Sequence, residues 1–308
     1  FRNSAMALLR NRAYWAWSAG MQLARLPATM APLAFAVVAT EITGSYRLGG
    51  LMMAAFVITE VACAAPVGRT LDRVGVARGL RVGLAIAGIA LIGLVVAVGI
   101  GAPPAVLVAL AALPGAVTGG LTGGFRALLP HVVAGDDTER AVAIDSVVFE
   151  CVLVTGPLVV ALLASGATEL SVAGMAAAYL LAIALVPRAP RISRQKGGRG
   201  ALPVAALVRW LACAFAIGHL LSTIEVAALP LGQALGGGAG TGSVIVATTS
   251  VASALGGALY AWRGPLLPIG RPARAALFLL AMASGGAVVA LVGGWFGTLG
   301  GVLVLGLC

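Results

Sequence analysis

Nine apolar runs, each long enough to cross a bilayer, follow one another along this chain of 308 residues. About 20 apolar residues span the hydrocarbon layer as a helix, and inside that layer only helices and closed barrels satisfy every backbone N–H and C=O. The spacing predicts spanning helices over Tyr14–Thr40, Leu48–Val67, Leu80–Ile100, Ala105–Leu128, Ala141–Ala164, Leu170–Val186, Val204–Leu231, Ser243–Trp262 and Ala275–Val292. A tenth starts near Trp295 and is cut off at Cys308. Composition agrees. Only 10% of residues are charged and the mean hydropathy is +1.05, against about a quarter charged in soluble domains. The expected fold class is an all-α, polytopic membrane bundle. The chain opens on Phe1 rather than Met, shows no signal peptide, and stops within an apolar run, so it reads as a C-terminally truncated piece of a longer protein.

The charges sort by side. With the N-terminus in the cytoplasm, cytoplasmic segments hold Arg2, Arg10, Arg12, Arg69, Arg73, Arg78, Arg81, Arg126, Arg140, Arg188, Arg191, Arg194, Lys196, Arg199, Arg209, Arg263, Arg271 and Arg274. The far side holds Arg47 alone, and Arg25 lies inside the first run. This is the positive-inside pattern, and adding or losing one helix would scramble it. A net charge of +10 would point to nucleic acid in a soluble chain. Here it is accounted for by basic cytoplasmic loops, and no nucleic-acid partner is expected.

Between the second and third runs lies GRTLDRVGVARGLR, Gly68 to Arg81. It is too short for a domain and too charged for lipid, so it reads as a tight turn at the membrane surface. Gly75 would take a positive φ to close the turn, and Asp72 would cap a helix or pair with a nearby Arg. The segment resembles the loop between helices 2 and 3 of the major facilitator superfamily, roughly G-x-L-a-D-R-x-G-r-r. Gly68, Asp72, Arg73 and Gly75 match it in spacing. Val76–Ala77 stand where the family usually has basic residues, with Arg78 and Arg81 just beyond. The resemblance implies that Asp72 is a conformational latch, paired with Arg73, Arg78 or Arg126 or capping a helix of the other half.

The layout is similar to the same family. Six runs, residues 1–187, precede a basic cytoplasmic linker, 188–203, and an incomplete second bundle, 204–308. In the first run Gly20 precedes Pro32–Leu33, and in the seventh Gly218 precedes Pro230–Leu231 at the same distance, as equivalent helices of two repeats would. Arg126 ends the fourth run near where the family often carries a basic residue. Gly156–Pro157 resembles the Gly-Pro pair of proton antiporters, with a packing kink as the plainer account. Gly115, Gly119 and Gly123 step by four along the fourth run, a stripe for close helix packing.

Other motifs carry no chemistry. The glycine-rich Gly236–Ser243 lacks the Gly-Lys-Ser/Thr ending of a phosphate loop and reads as a flexible outside loop. His131 and His219 have no second ligand at metal spacing, and the four cysteines lie in apolar runs without CxxC spacing, so neither metal nor cofactor is expected. Asp136, Asp137 and Glu139 form a surface cluster expected to cap the fifth helix.

What remains are ionisable residues inside apolar runs: Arg25, Glu60, Glu150, His219 and Glu225. A charge at mid-bilayer costs about 2.5–3.5 kcal/mol on the most lenient scale. Either they neutralise one another for structure or they line a polar cavity. Aligning the two Gly…Pro-Leu frames brings Arg25 within two residues of the level of Glu225, which makes this pair the first candidate for proton coupling, with Glu60 and Glu150 in reserve. The family resemblance implies a secondary transporter working by alternating access, with proton-coupled efflux of a small organic molecule as the expected activity and a solute importer as the alternative. A membrane-embedded enzyme on lipid-linked substrates is the rival class, but it would need a polar cluster near one surface. Few aromatics and a single buried Arg point away from a stacking sugar site. The expected setting is a monomer in the plasma membrane, its linker touching anionic headgroups, with protons and a small molecule as partners.

Overall fold

A computed structural model describes residues 10–133, 137–188, 204–236, 238–263 and 270–307. Among them every regular element is a helix: α1 (Arg12–Thr43), α2 (Tyr46–Val74), α3 (Val76–Gly99), α4 (Pro104–Thr118), α5 (Leu121–Leu128), α6 (Thr138–Ala164), α7 (Thr168–Leu185), α8 (Val204–Ala234), α9 (Gly238–Arg263), α10 (Arg271–Val292) and α11 (Gly294–Leu307), with a 3₁₀ turn at Leu129–His131. Seven stretches of the described residues are long and apolar enough to cross a membrane, α4 and α5 together forming one of them. Shorter apolar stretches, Leu207–Leu221 and Gly294–Leu307, fall in α8 and α11. Large apolar side chains such as Ile58, Val61 and Leu162 are exposed, as lipid-facing positions must be. The linker, apart from Arg188, lies outside the described residues.

The chain divides into two compact units. One comprises Phe1–Ala141 and Cys151–Ser193, the other Val142–Glu150 and Arg194–Cys308. In the first, α1 packs against α2 and α7, α3 against α4 and α7, and α2 most extensively against α4. Its core holds Trp17, Tyr14, Phe35, Phe56, Phe125 and Tyr179, all at most 1% exposed. In the second, α9 packs on α8 and α11, and α10 on α11, around Ile224, Ile245, Met282, Val302 and Leu305. Gly285 and Gly301 let α10 and α11 approach backbone to backbone.

Four local expectations are corrected. The charged loop is mostly helix: α2 continues through Gly68, Asp72 and Arg73 to Val74, and the turn is the single residue Gly75 at φ 94°, ψ 128°. Gly75 thus has the expected positive φ, but Asp72 does not cap α3, whose N-terminus has no side-chain cap. The predicted fourth helix breaks at Gly119–Gly120, because two successive glycines weaken helix propagation just where neighbouring backbone presses in. The expected outside loop Gly236–Ser243 is the start of α9 from Gly238 on. Finally, Asp137 occupies the N-cap of α6 without a capping hydrogen bond and instead pairs with Arg140 at 3.7 Å, while Glu139 sits in the first turn.

Candidate functional site

A cleft of about 350 Å³, its mouth included, opens inside the first unit. Met21, Ala24, Arg25 and Ala28 recur at helical spacing and bring one stripe of α1 to its wall. Glu60 enters from α2, Thr118 from the end of α4, Leu121, Thr122 and Phe125 from α5, and Tyr179 from α7. Two features of sequence open this space. Ala24 and Ala28 are small, and the break after Thr118 turns the wall before α5 resumes.

The stripe of glycines sets how closely α4 approaches Glu60. A Cβ on Gly115 would overlap the Phe56 carbonyl, and one on Gly119 would overlap the carbonyl of Glu60 itself. Thr59 Oγ1 also donates to the Ala112 carbonyl, 2.7 Å away, tying α2 to α4. Gly123 meets nothing within 4 Å, and Gly120, against Val67 and Gly68, replaces it in the contact. The predicted four-residue stripe therefore holds for two members and then shifts at the helix break.

Hydrogen bonds hold the walls. Thr118 Oγ1 donates to the Pro114 carbonyl at 2.8 Å. Tyr179 stands beside Thr118 on the same wall, within electrostatic reach of Glu60. At the end of α5 the Leu129 amide turns to the Arg126 carbonyl, leaving the Phe125 carbonyl without its helical partner. The Trp17 indole N–H takes it, at 2.7 Å. Asn11 caps α1 through Oδ1 and donates from Nδ2 to the Val132 carbonyl, and Tyr14 donates to the Ala141 carbonyl. The first turns of α1 thus secure the chain leaving α5 and the start of α6.

The other expected residues lie elsewhere. Glu150 accepts from Ser253 Oγ at 2.8 Å within the second unit, where Gly257 allows close approach to Val147. His219 is exposed and stacks on Phe215 at 6.0 Å. Glu225 lies on α8, but its side chain is outside the described residues, as is the pairing expected for it. Asp72, Arg73, Arg78 and Arg126 are all exposed, and no ion pair joins them. Arg81 does find a role: its Nη2 donates to the Val186 carbonyl at 3.0 Å, just past the end of α7. Gly156 packs against Thr29, in keeping with the packing account of Gly156–Pro157.

Reading the residues missed several polar groups. Asp145 is 1% exposed, and Arg274, 9% exposed, donates to the Tyr260 hydroxyl at 2.9 Å. Tyr179 and Thr118 were also missed, since nothing in an apolar run marks which hydroxyl faces a cavity. Among the described residues no three His, Cys, Asp or Glu side chains group to hold a metal.

The sequence profile of the Major Facilitator Superfamily matches residues 18–308. No curated protein matches the chain. Among solved structures, the E. coli fucose:proton symporter FucP is similar in fold, with a TM-score of 0.65 over 96% of this chain and 80% of that one, at 13% identity.

Proposed function

The chain belongs to the Major Facilitator Superfamily, and on that premise we propose that Arg25 and Glu60 couple proton movement to the transport of a small organic solute. It is a multi-pass membrane protein and a secondary transporter, not an enzyme. The observation that supports the coupling is that a basic and an acidic side chain from two different helices line one cleft inside the first unit. Burial disfavours a carboxylate's charge and a nearby guanidinium favours it. A carboxyl whose exposure to the two changes during alternating access takes up a proton on one side and releases it on the other.

Proton-coupled efflux is the direction that the family resemblance as a whole suggests, together with the likeness of Gly156–Pro157 to the Gly-Pro pair of proton antiporters. Cotransport is the second reading, and the cleft favours it: a proton and a solute on adjoining groups of one cavity travel together. FucP is described as a proton symporter, but at 13% identity its likeness reaches the fold only. In this reading the protein sits in the plasma membrane as a monomer, N-terminus inside, with Asp72 as a latch on the cytoplasmic face.

Proteoliposomes with an imposed pH gradient test the coupling. Glu60→Gln is expected to abolish gradient-driven accumulation while leaving solute exchange at equal pH intact. The sign of the gradient that drives accumulation in the parent decides between efflux and cotransport. Parent-like accumulation by Glu60→Gln removes Glu60 from the coupling, and the role passes to Glu150 or Glu225.

A further inference from the structure

Three arginines gather where α3 meets the end of α7 in the first unit, and among the described residues no ion pair joins any of them to an acid. The two helices run side by side. Gly88 lies against Leu180, and seven residues earlier Nη2 of Arg81 donates to the Val186 carbonyl at 3.0 Å. That bond uses one of the guanidinium's N–H donors and holds the end of α7 to the start of α3. Arg78 stands one turn before Arg81, and Arg188 stands two residues past Val186; both are exposed. We propose that Arg78, Arg81 and Arg188 form a binding site for the phosphodiester headgroup of an anionic phospholipid, whose acyl chains lie along α3 and α7.

Charge is the first argument. Like charges at the edge of a low-dielectric layer repel one another, and an anion between them removes the cost. Neither neighbouring stretch supplies one. No acid occurs in α3, and from Arg188 to Pro203 the sequence adds Arg191, Arg194, Lys196 and Arg199 but no Asp or Glu. Asp72, at the end of α2, is exposed and joined to none of the three. A phosphodiester answers the need, since its unesterified oxygens share a negative charge and accept paired N–H donors from a guanidinium fork.

The apolar surroundings make that phosphate a lipid's. Arg78 is the third of the 24 residues of α3. A helix of that length is about 36 Å long, so Arg78 stands where a hydrocarbon layer of about 30 Å gives way to headgroups. Val82, Ile86 and Ile89 follow it at helical spacing on one exposed face of α3. Leu181 and Ala184 are exposed on the last turns of α7. An acyl chain thus has an apolar track to lie on directly behind the guanidiniums, from which a dissolved phosphate would gain nothing. A fixed site of this kind also differs from the diffuse attraction of a basic linker to a charged leaflet, which needs no packed helices.

The test titrates the full chain, stripped of lipid in detergent, with phosphatidylglycerol. Phosphatidylcholine, inorganic phosphate and glycerol 3-phosphate are titrated separately, with bound lipid read by native mass spectrometry and stability by the thermal midpoint. Phosphatidylglycerol is expected to bind saturably and to raise the midpoint, with little response to the other three. Arg78→Gln and Arg188→Gln should each weaken its binding about fivefold, and the double change about 25-fold. Both side chains are exposed, and Arg188→Gln, beyond the last turn of α7, carries the test should Arg78→Gln not fold. Arg199→Gln, on the linker, should bind as the parent does. Phosphatidylcholine binding as tightly as phosphatidylglycerol overturns the proposal, as does parent-like binding by both the Arg78 and Arg188 variants. Glycerol 3-phosphate or inorganic phosphate raising the midpoint as far as the lipid does would make this a site for free phosphate. A loss in Arg199→Gln equal to that in Arg78→Gln would reduce it to diffuse attraction.

Discussion

Trp17 shows how much one side chain settles in an apolar bundle. Its indole N–H takes the Phe125 carbonyl that the tight turn at Leu129 releases, in a place where water does not compete. Trp17→Phe keeps the ring and removes the donor, so a buried carbonyl is left unsatisfied. The expected loss is about 1–3 kcal/mol, read as a lowered thermal midpoint in detergent, and a midpoint unchanged from the parent would count against the bond. Asp72 is the opposite case: exposed, with no ion pair to its basic neighbours. Asp72→Asn should leave stability within about 0.5 kcal/mol and expression normal, yet slow transport if the residue latches a conformation. Flux equal to the parent's removes that role. Arg25 and Glu60 were legible in the sequence because a charge inside an apolar run is costly and therefore stands out. Tyr179 and Thr118 were not, because a hydroxyl in such a run costs little and has many possible partners.

At the level of the helix, glycine positions separate what is tolerated from what is not. Gly119→Ala would force a methyl group into the Glu60 carbonyl and push α4 from α2, widening the cleft wall. Overpacking of this kind costs about 1–3 kcal/mol, and transport should fall with stability. Gly123→Ala, in open space on the same segment, should instead hold or raise the thermal midpoint, since alanine favours helix by about 0.8–1 kcal/mol. Equal effects from the two changes would refute the close-packing account. Gly75→Ala places a side chain at φ 94°, which costs about 1–3 kcal/mol. The runs of apolar residues located the helices well, because length and hydropathy set them locally. They could not show that α2 carries on through its charged end, since a helix leaving lipid keeps its own hydrogen bonds, whatever side chains it then presents. Nor could they show the interruption at Gly119–Gly120, which depends on the α2 backbone pressing on it.

For the whole molecule, the testable expectation concerns sidedness. The linker 188–203 carries Arg188, Arg191, Arg194, Lys196 and Arg199, each worth about 1 kcal/mol near an anionic leaflet. Protease added to right-side-out vesicles should leave it intact and should cut it once the vesicles are inverted, and cleavage from outside would reverse the topology. Sequence alone determined the class of this protein and the order of its apolar helices, and it carries the expectation of the side on which its basic loops belong. Each of these follows from transfer of residues between water and lipid, a sum over local composition that needs no knowledge of neighbours. Which buried charge meets which was decided only by the tertiary structure. Matching two repeats along the chain paired Arg25 with Glu225, whose side chain lies outside the described residues, while the packing of the first unit brings Arg25 and Glu60 to a common cleft. That juxtaposition depends on the rotation of each helix about its axis and on glycines 115 and 119 drawing α4 onto α2. Hydropathy is nearly blind to rotation in a helix that is apolar all round, so the partner of a buried charge emerges only when the helices are packed.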